Sequence, residues 1–208
     1  MHHYIMLGAP GSGKGTQAAL IAKRLKIIHV SSGDLLRKNP PPEIAKKMAA
    51  GLMLEDQDVL GLIKDRLSKE DASHGWILDG FPRTISQANK LDTLFPNADI
   101  QAIYLNISDE TIKHRLTARR TCAGCGQIYN LINQQPEKEG ICDVCGDLLK
   151  LRDDDTEEVI TKRLSVYHEV TAPLITFYKQ KGRLITIDCY EGQSPHVVDS
   201  LIANQIDS

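Results

Sequence analysis

The segment Gly8-Ala9-Pro10-Gly11-Ser12-Gly13-Lys14-Gly15-Thr16 constrains this chain more than any other. It follows an apolar run at residues 4–7 that reads as a strand, and it opens a run at 13–25 that reads as a helix. A strand, a glycine loop and a helix in that order form the setting in which a loop wraps phosphate groups. Glycines let successive backbone N–H groups face a polyphosphate, and the helix N-terminus adds partial positive charge. Lys14 is placed to reach the outer phosphates. Gly15 stands where the generic loop has Ser or Thr, and the hydroxyl comes one residue later, at Thr16. Mg²⁺ is therefore expected to be held mainly by phosphates and water, not by a loop hydroxyl.

Further along, strand-sized apolar runs occur at 27–30, 76–78, 100–105 and 184–187. Helical patterns separate them, at 56–70, 84–94, 108–120, 156–181 and 195–206. Val59, Leu60, Ile63 and Leu67 recur at helical spacing. Ser108 is a candidate cap with Asp109 and Glu110 in the first turn, and Pro173 marks a bend in the longest helix. Alternation of this kind indicates parallel βαβ units, so the expected class is α/β. The run at 100–105 shows little polar alternation, as a strand covered on both faces would.

The length of 208 residues fits one domain. Two stretches interrupt the alternation and read as insertions: residues 33–54, with Pro40-Pro41-Pro42, and residues 117–155, with four of the five cysteines. Twenty-five basic against 27 acidic residues give a net charge of −2, which excludes a protein that coats DNA through basic excess. The apolar stretches fall short of the ~18 residues of a membrane span. The N-terminus runs directly into a strand, leaving no room for a signal peptide. The expectation is a cytoplasmic protein with no membrane or nucleic-acid partner.

Cys122 and Cys125 form one C-x-x-C, and Cys142 and Cys145 form another, with sixteen residues between the pairs. That spacing belongs to four-cysteine Zn²⁺ sites. Two tight knuckles can present four thiolates to one ion, and a closed tetrahedron is structural, not catalytic. A redox pair is the competing reading, disfavoured by the second C-x-x-C. Cys189, alone at the end of an apolar run, is expected to be buried and inert.

Two further signals carry chemistry. Asp79-Gly80-Phe81-Pro82-Arg83-Thr84 sits at the carboxyl end of a strand, the edge where parallel sheets bind ligands. Asp79 could orient water around Mg²⁺, and Arg83 could fork a phosphate. Arginines are also dispersed at 37, 83, 115, 119, 120, 152 and 163. Arg115 and Arg119, four apart, are expected on one face of the 108–120 helix. A hinged flap with arginines at its base could close them over a transferring phosphoryl group.

Taken together, Gly8 to Thr16, Ser32-Gly33-Asp34-Leu35-Leu36-Arg37, Asp79 to Thr84 with Gln87, Arg119-Arg120 and Arg152-Asp153-Asp154-Asp155 resemble the adenylate kinase family, in the family's order and across the whole chain. Tyr167-His168-Glu169 with Pro173 is similar as well, and the cysteine segment resembles the zinc-bearing lid of bacterial members. The resemblance implies a P-loop nucleoside monophosphate kinase fold. Its five-stranded parallel sheet has helices on both faces, a monophosphate arm at 31–54 and a lid at 118–155. It implies reversible phosphoryl transfer from Mg-ATP to AMP giving two ADP, by a monomer.

The resemblance also implies roles. Lys14, Arg83, Arg119, Arg152 and Arg163 would serve the transfer. Gly11, Ser12, Gly13, Lys14, Gly15 and Thr16, with Arg119, Ile128 and Tyr129, would hold ATP. Ser32, Arg37, Leu52, Met53, Leu54, Gly80, Phe81, Pro82, Arg83 and Gln87, with Arg152 and Arg163, would hold AMP. Gln193 and Ser194 are both candidates for contacting the ATP base. Departures from the family gather in the arm, which is short and proline-rich, has Leu52 where Lys is frequent and has Ser32 in place of Thr. Two rivals stand beside this reading. One is a kinase for another monophosphate or donor, against which Gln87 speaks. The other is a nucleic-acid-binding zinc ribbon, disfavoured by Glu137, Glu139 and Asp143 around Lys138.

Overall fold

The computed structural model describes residues 2–38, 42–50 and 56–206. The chain passes through β1 (His2–Leu7), α1 (Lys14–Leu25), β2 (Ile28–Ser31), α2 (Ser32–Lys38), α3 (Pro42–Ala49), α4 (Asp56–Leu67), β3 (Gly75–Asp79) and α5 (Ile85–Leu94). It continues through β4 (Ile100–Asn106), α6 (Asp109–Thr117), β5 (Arg119–Cys122), β6 (Ile128–Asn130), β7 (Leu149–Lys150) and α7 (Glu157–Val166). It ends with α8 (Pro173–Gln180), β8 (Leu184–Asp188) and α9 (Pro195–Ile206).

The strands β2-β3-β1-β4-β8 form one parallel sheet in that order. Side-chain alternation along β1 decides which helices cover each face. Ile5 and Leu7 pack with Ile63 and Leu67 of α4, Leu91 of α5, and Leu174 and Tyr178 of α8. Tyr4 and Met6 pack with Ala18 and Ile21 of α1 and Val198 and Ile202 of α9. Burial on both faces explains why the strands read as unbroken apolar runs. The chain leaves β1 toward β2 on one side and returns from β3 to β4 on the other, so a crevice opens beyond the carboxyl end of β1. Register brings Asp79 level with Met6 and Ser31, placing its carboxylate at that rim.

Three helices are shorter than their sequence patterns suggest, the 56–70 pattern ending at Leu67 of α4. The helix expected over 108–120 starts at Asp109, with the Ser108 side chain accepting from the Thr111 N–H, but ends at Thr117. Arg119 and Arg120 instead extend along β5, paired with Asn130 and Tyr129 of β6. Arg115 and Arg119 therefore do not share a helix face, because strand pairing outcompetes another helical turn. The long pattern at 156–181 is split by a wide turn over Tyr167–Thr171, closed by the Ala172 N–H donating to the Tyr167 carbonyl at 2.8 Å. Pro173, the first residue of α8, has no N–H, and its ring crowds the carbonyl four residues back. The widening of the helix just before it follows from that.

Residues from β5 to β7 form a separate three-stranded antiparallel sheet, β6-β5-β7. Its buried set is small: Cys122, Tyr129 and Cys142, with Leu149 packed against them. Cys189 is buried under α9, as expected. Among the described residues no helix is long and apolar enough to cross a membrane.

Candidate active site

The loop after β1 is shaped by close contacts. Gly11 has φ +85°, and a Cβ there would lie 2.6 Å from the Leu116 side chain of α6, so both its backbone and its surroundings exclude a side chain. A Cβ at residue 15 would lie 3.1 Å from Asp79 Oδ2. A side chain at residue 15 would therefore have to displace the Asp79 carboxylate by a few tenths of an ångström, so the glycine lets Asp79 sit close against the loop. Lys14 folds over the loop and donates to the carbonyls of Gly8 and Ala9, both at 2.8 Å. Burial pushes its ammonium down from the ordinary 10.5 to about 8. Asp79 opposes that shift, and the guanidiniums of Arg83, Arg163 and Arg119 add to it. Cations from three distant stretches of chain thus converge on the one phosphate-loop lysine.

Opposite the loop, Ser32 at the start of α2 is buried, and its hydroxyl finds no partner among the described residues. It lies against Gly80, where a Cβ would come within 2.6 Å of the Ser32 oxygen. Arg83 is braced by its Nε donating to the Gly80 carbonyl at 2.8 Å, and its backbone N–H donates to the buried Gln87 side chain at 2.7 Å. Thr84 caps α5 and accepts from the Gln87 N–H, which fixes where that glutamine stands. His29 of β2 also borders the space, and burial holds its imidazole below the usual range, against the pull of Asp79 and Asp34.

The third wall is organised by Asp155, whose side chain is 0% exposed. It accepts from Nε and Nη2 of Arg119, the former at 2.7 Å, and from Nη1 of Arg163 at 3.2 Å. One carboxylate therefore ties the first residue of β5 to α7. Arg152 is held by donation from its Nε to the Thr121 hydroxyl at 2.8 Å. Lys14, Arg83, Arg115, Arg119, Arg152 and Arg163 all border a single cleft of about 750 Å³. Ser32, Gln87, Ile128, Tyr129 and the loop at 193–195 line the same cleft.

The sulfurs of Cys122, Cys125, Cys142 and Cys145 lie within 4.8 Å of one another. Cys122 and Cys145 are 3.3 Å apart, and Cys125 and Cys142 are 3.6 Å apart. A tetrahedron with Zn–S of ~2.3 Å has S···S edges of roughly 3.8 Å, so the cluster fits a structural zinc ion. Cys125 also borders the cleft, so the metal knuckle is part of its wall.

The family model described as adenylate kinase matches residues 6–183. The chain belongs to the adenylate kinase family. The adenylate kinase of Caldicellulosiruptor bescii is 48% identical over 190 residues, covering 87% of this chain and 88% of that protein. Those of Lachnospira eligens and Acetivibrio thermocellus are 47% and 42% identical, covering 88% and 90% of this chain and 91% of each relative. As a member of this family the chain is an enzyme, a nucleoside monophosphate kinase.

Most residues expected from the adenylate kinase pattern meet in the cleft: 11–16 of the loop, Ser32, Gly80, Pro82, Arg83, Gln87, Arg119, Ile128, Tyr129, Arg152 and Arg163. Phe81 does not border it and packs in the core behind, 1% exposed. Leu52, Met53 and Leu54, and the Arg37 side chain, lie outside the described residues. Gln193 and Ser194 both border the cleft.

Sequence reasoning names Arg115 only as one of a dispersed arginine set and gives Asp155 no role of its own. Arg115 donates from its Nη2 to the Tyr190 carbonyl at 3.0 Å, and its Nη1 lies 3.5 Å from the Ser12 carbonyl. Asp155 was visible only as the last acid of a run. Burial singles it out from Asp153 and Asp154, and a charge count cannot show burial.

Proposed function

We propose that the cleft transfers the terminal phosphoryl group of Mg-ATP to AMP, reversibly, giving two ADP. The observation that carries this reading is the convergence of Lys14, Arg83, Arg119 and Arg163. A site that gathers four cations is built for a highly anionic ligand. Phosphoryl transfer asks for positioning and charge neutralisation more than for a strong base.

In this reading the phosphate loop and Lys14 hold the triphosphate, while Ser32, Arg83 and Gln87 hold the monophosphate. An oxygen of the AMP phosphate attacks the γ-phosphorus. The bond from that phosphorus to the bridging oxygen breaks, and the electron pair leaves with ADP. Arg119, Arg152 and Arg163 neutralise the charge spread over the transferring oxygens. Asp155 is a positioning residue that aims two of these three. Asp79, beside Gly15, is the carboxylate that would hold Mg²⁺ through water, and the ion's charge offsets that of the phosphates.

Residues 118–155 act as a lid and 31–54 as the monophosphate arm, closing to keep water from competing as acceptor. The enzyme works as a monomer in the cytoplasm and takes neither nucleic acid nor membrane as partner; the balanced charge, −2 over the whole chain, supports the exclusion of nucleic acid. The test is a coupled assay in both directions with ATP and AMP, CMP, UMP or GMP. Rapid turnover with AMP, lost in Lys14→Ala, supports the reading. Equal turnover with all four acceptors would remove the role of Gln87, and no turnover with any would end the proposal.

A further inference from the structure

Tyr129 lies in β6, on the strand that borders the cleft, yet its hydroxyl turns the other way. The side chain is buried, 4% exposed, among Cys122, Cys142 and Leu149. Its oxygen lies 3.5 Å from Cys142 Sγ. The same oxygen accepts the backbone N–H of Asp143 at 2.8 Å. These two contacts fix the direction of the hydroxyl proton. A cysteine that ligates a metal does so as a thiolate and has no proton to give. With Asp143 donating to the hydroxyl oxygen, the O–H is left to point at the sulfur.

We propose that Tyr129 is an outer-shell hydrogen-bond donor to the Cys142 thiolate of the four-cysteine metal site. It acts as a positioning residue that fixes the second knuckle to the strand bordering the nucleotide cleft. The backbone of Tyr129 pairs with Arg120, next to Arg119, while its hydroxyl reaches a knuckle thirteen residues further on. A single ring therefore joins the metal site to the cleft wall. Groups that hydrogen-bond to a metal ligand orient it and stabilise its charged form, and their loss typically weakens metal binding by ~10–100-fold. Removing this hydroxyl also strips the Asp143 N–H of its acceptor.

The inference rests on the cysteine cluster and not on the phosphoryl-transfer reading, so it is tested on the full chain without nucleotide. Zinc affinity is measured by competition with a chromophoric chelator for the native protein, Tyr129→Phe and Leu149→Ala. Each protein is also loaded with Co²⁺, and its thiolate-to-metal absorption bands are recorded. Tyr129→Phe keeps the ring and should bind zinc about 10-fold or more weakly, with shifted Co²⁺ bands. Leu149→Ala removes packing against the same cluster but no hydrogen bond, and should leave the bands in place even if it lowers the melting temperature. Native affinity and a superimposable spectrum in Tyr129→Phe would overturn the proposal. Equal band shifts in both variants would do the same, by reducing the role of Tyr129 to packing. A native protein that binds neither metal would overturn it as well.

Discussion

The phosphate loop and the four-cysteine segment border the same cleft but hold their shape by different means. The loop is nine residues long and is kept in place by neighbours already fixed in the main fold: Leu116 against Gly11 and Asp79 against Gly15. Behind it, Tyr4 to Leu7 are all buried in the sheet. The cysteine segment has three short strands and a buried set of which two members are metal ligands. At ~1.5–3 kcal/mol per fully buried large apolar side chain, Tyr129 and Leu149 cannot alone order a segment of this length. Its order is expected to come from the ion and from Asp155, which ties Arg119 to α7. One wall of the cleft is built on the main sheet, and the other is a small satellite sheet held by its cysteines and by the Asp155 tie.

Metal removal separates the two regions most sharply. Structural zinc sites of this type bind with about 10 kcal/mol or more. Chelation should therefore collapse hydrogen-exchange protection between residues 119 and 150 while the amides of β1, β3 and β4 keep theirs. Retained protection in the cysteine segment after chelation would show that it has a core of its own. Next in size is Lys14→Ala. Removing a preorganised cation from the transferring phosphates should lower kcat/KM by about 10³-fold, close to 4 kcal/mol. The melting temperature should change little, because the loop is held by contacts that the lysine side chain does not supply. A large drop in melting temperature would mean that the bonds to Gly8 and Ala9 hold the loop.

Asp155→Asn tests the tie between the regions. The carboxylate is wholly buried, but its partners Arg119 and Arg163 are 14% and 19% exposed. Breaking a fully buried pair costs about 3–5 kcal/mol, and partial solvation of the arginines should bring this to about 2 kcal/mol in urea unfolding. The expected signature is a fall in turnover larger than the fall in stability, since two guanidiniums lose their aim. Native turnover with reduced stability would make Asp155 a structural residue alone.

How much of this was legible in the sequence follows the same division. The loop, its strand and its helix are contiguous, so residues 8–16 carried their own context, and Asp79 to Thr84 were readable for the same reason. The cysteine spacing exposed the metal site because knuckles are local. The details that depended on distant partners were not readable. The end of α6 at Thr117 was hidden because β5 needs β6 as a partner. The burial of Asp155 depends on Arg119, 36 residues away. Phe81 sits within a site motif, yet the core claims its ring. Tyr129 is an expected ATP contact through the family resemblance alone, and it does border the cleft; the path of its hydroxyl to Cys142, thirteen residues away, is a tertiary contact that no local pattern carries.

The smallest effect concerns the charge on the rigid wall. Lys14 is pushed down to about 8 by burial, with three nearby guanidiniums adding to the shift. At pH 8.5 the free protein therefore holds this amine mostly neutral. A bound triphosphate brings negative charge to the same place and favours the ammonium, so its pKa must rise on binding. A ligand that raises a pKa takes up a proton, and its affinity falls as pH climbs above the free-state value. Calorimetry of ATP binding at pH 8.5, in two buffers of different ionisation enthalpy, should show uptake of most of a proton. Affinity should decline by no more than about tenfold per pH unit from pH 8 upward, and Lys14→Ala should abolish the uptake. No uptake in the native protein would mean that the loop holds its lysine charged throughout. The sheet-built wall would then meet the nucleotide with its charge already in place.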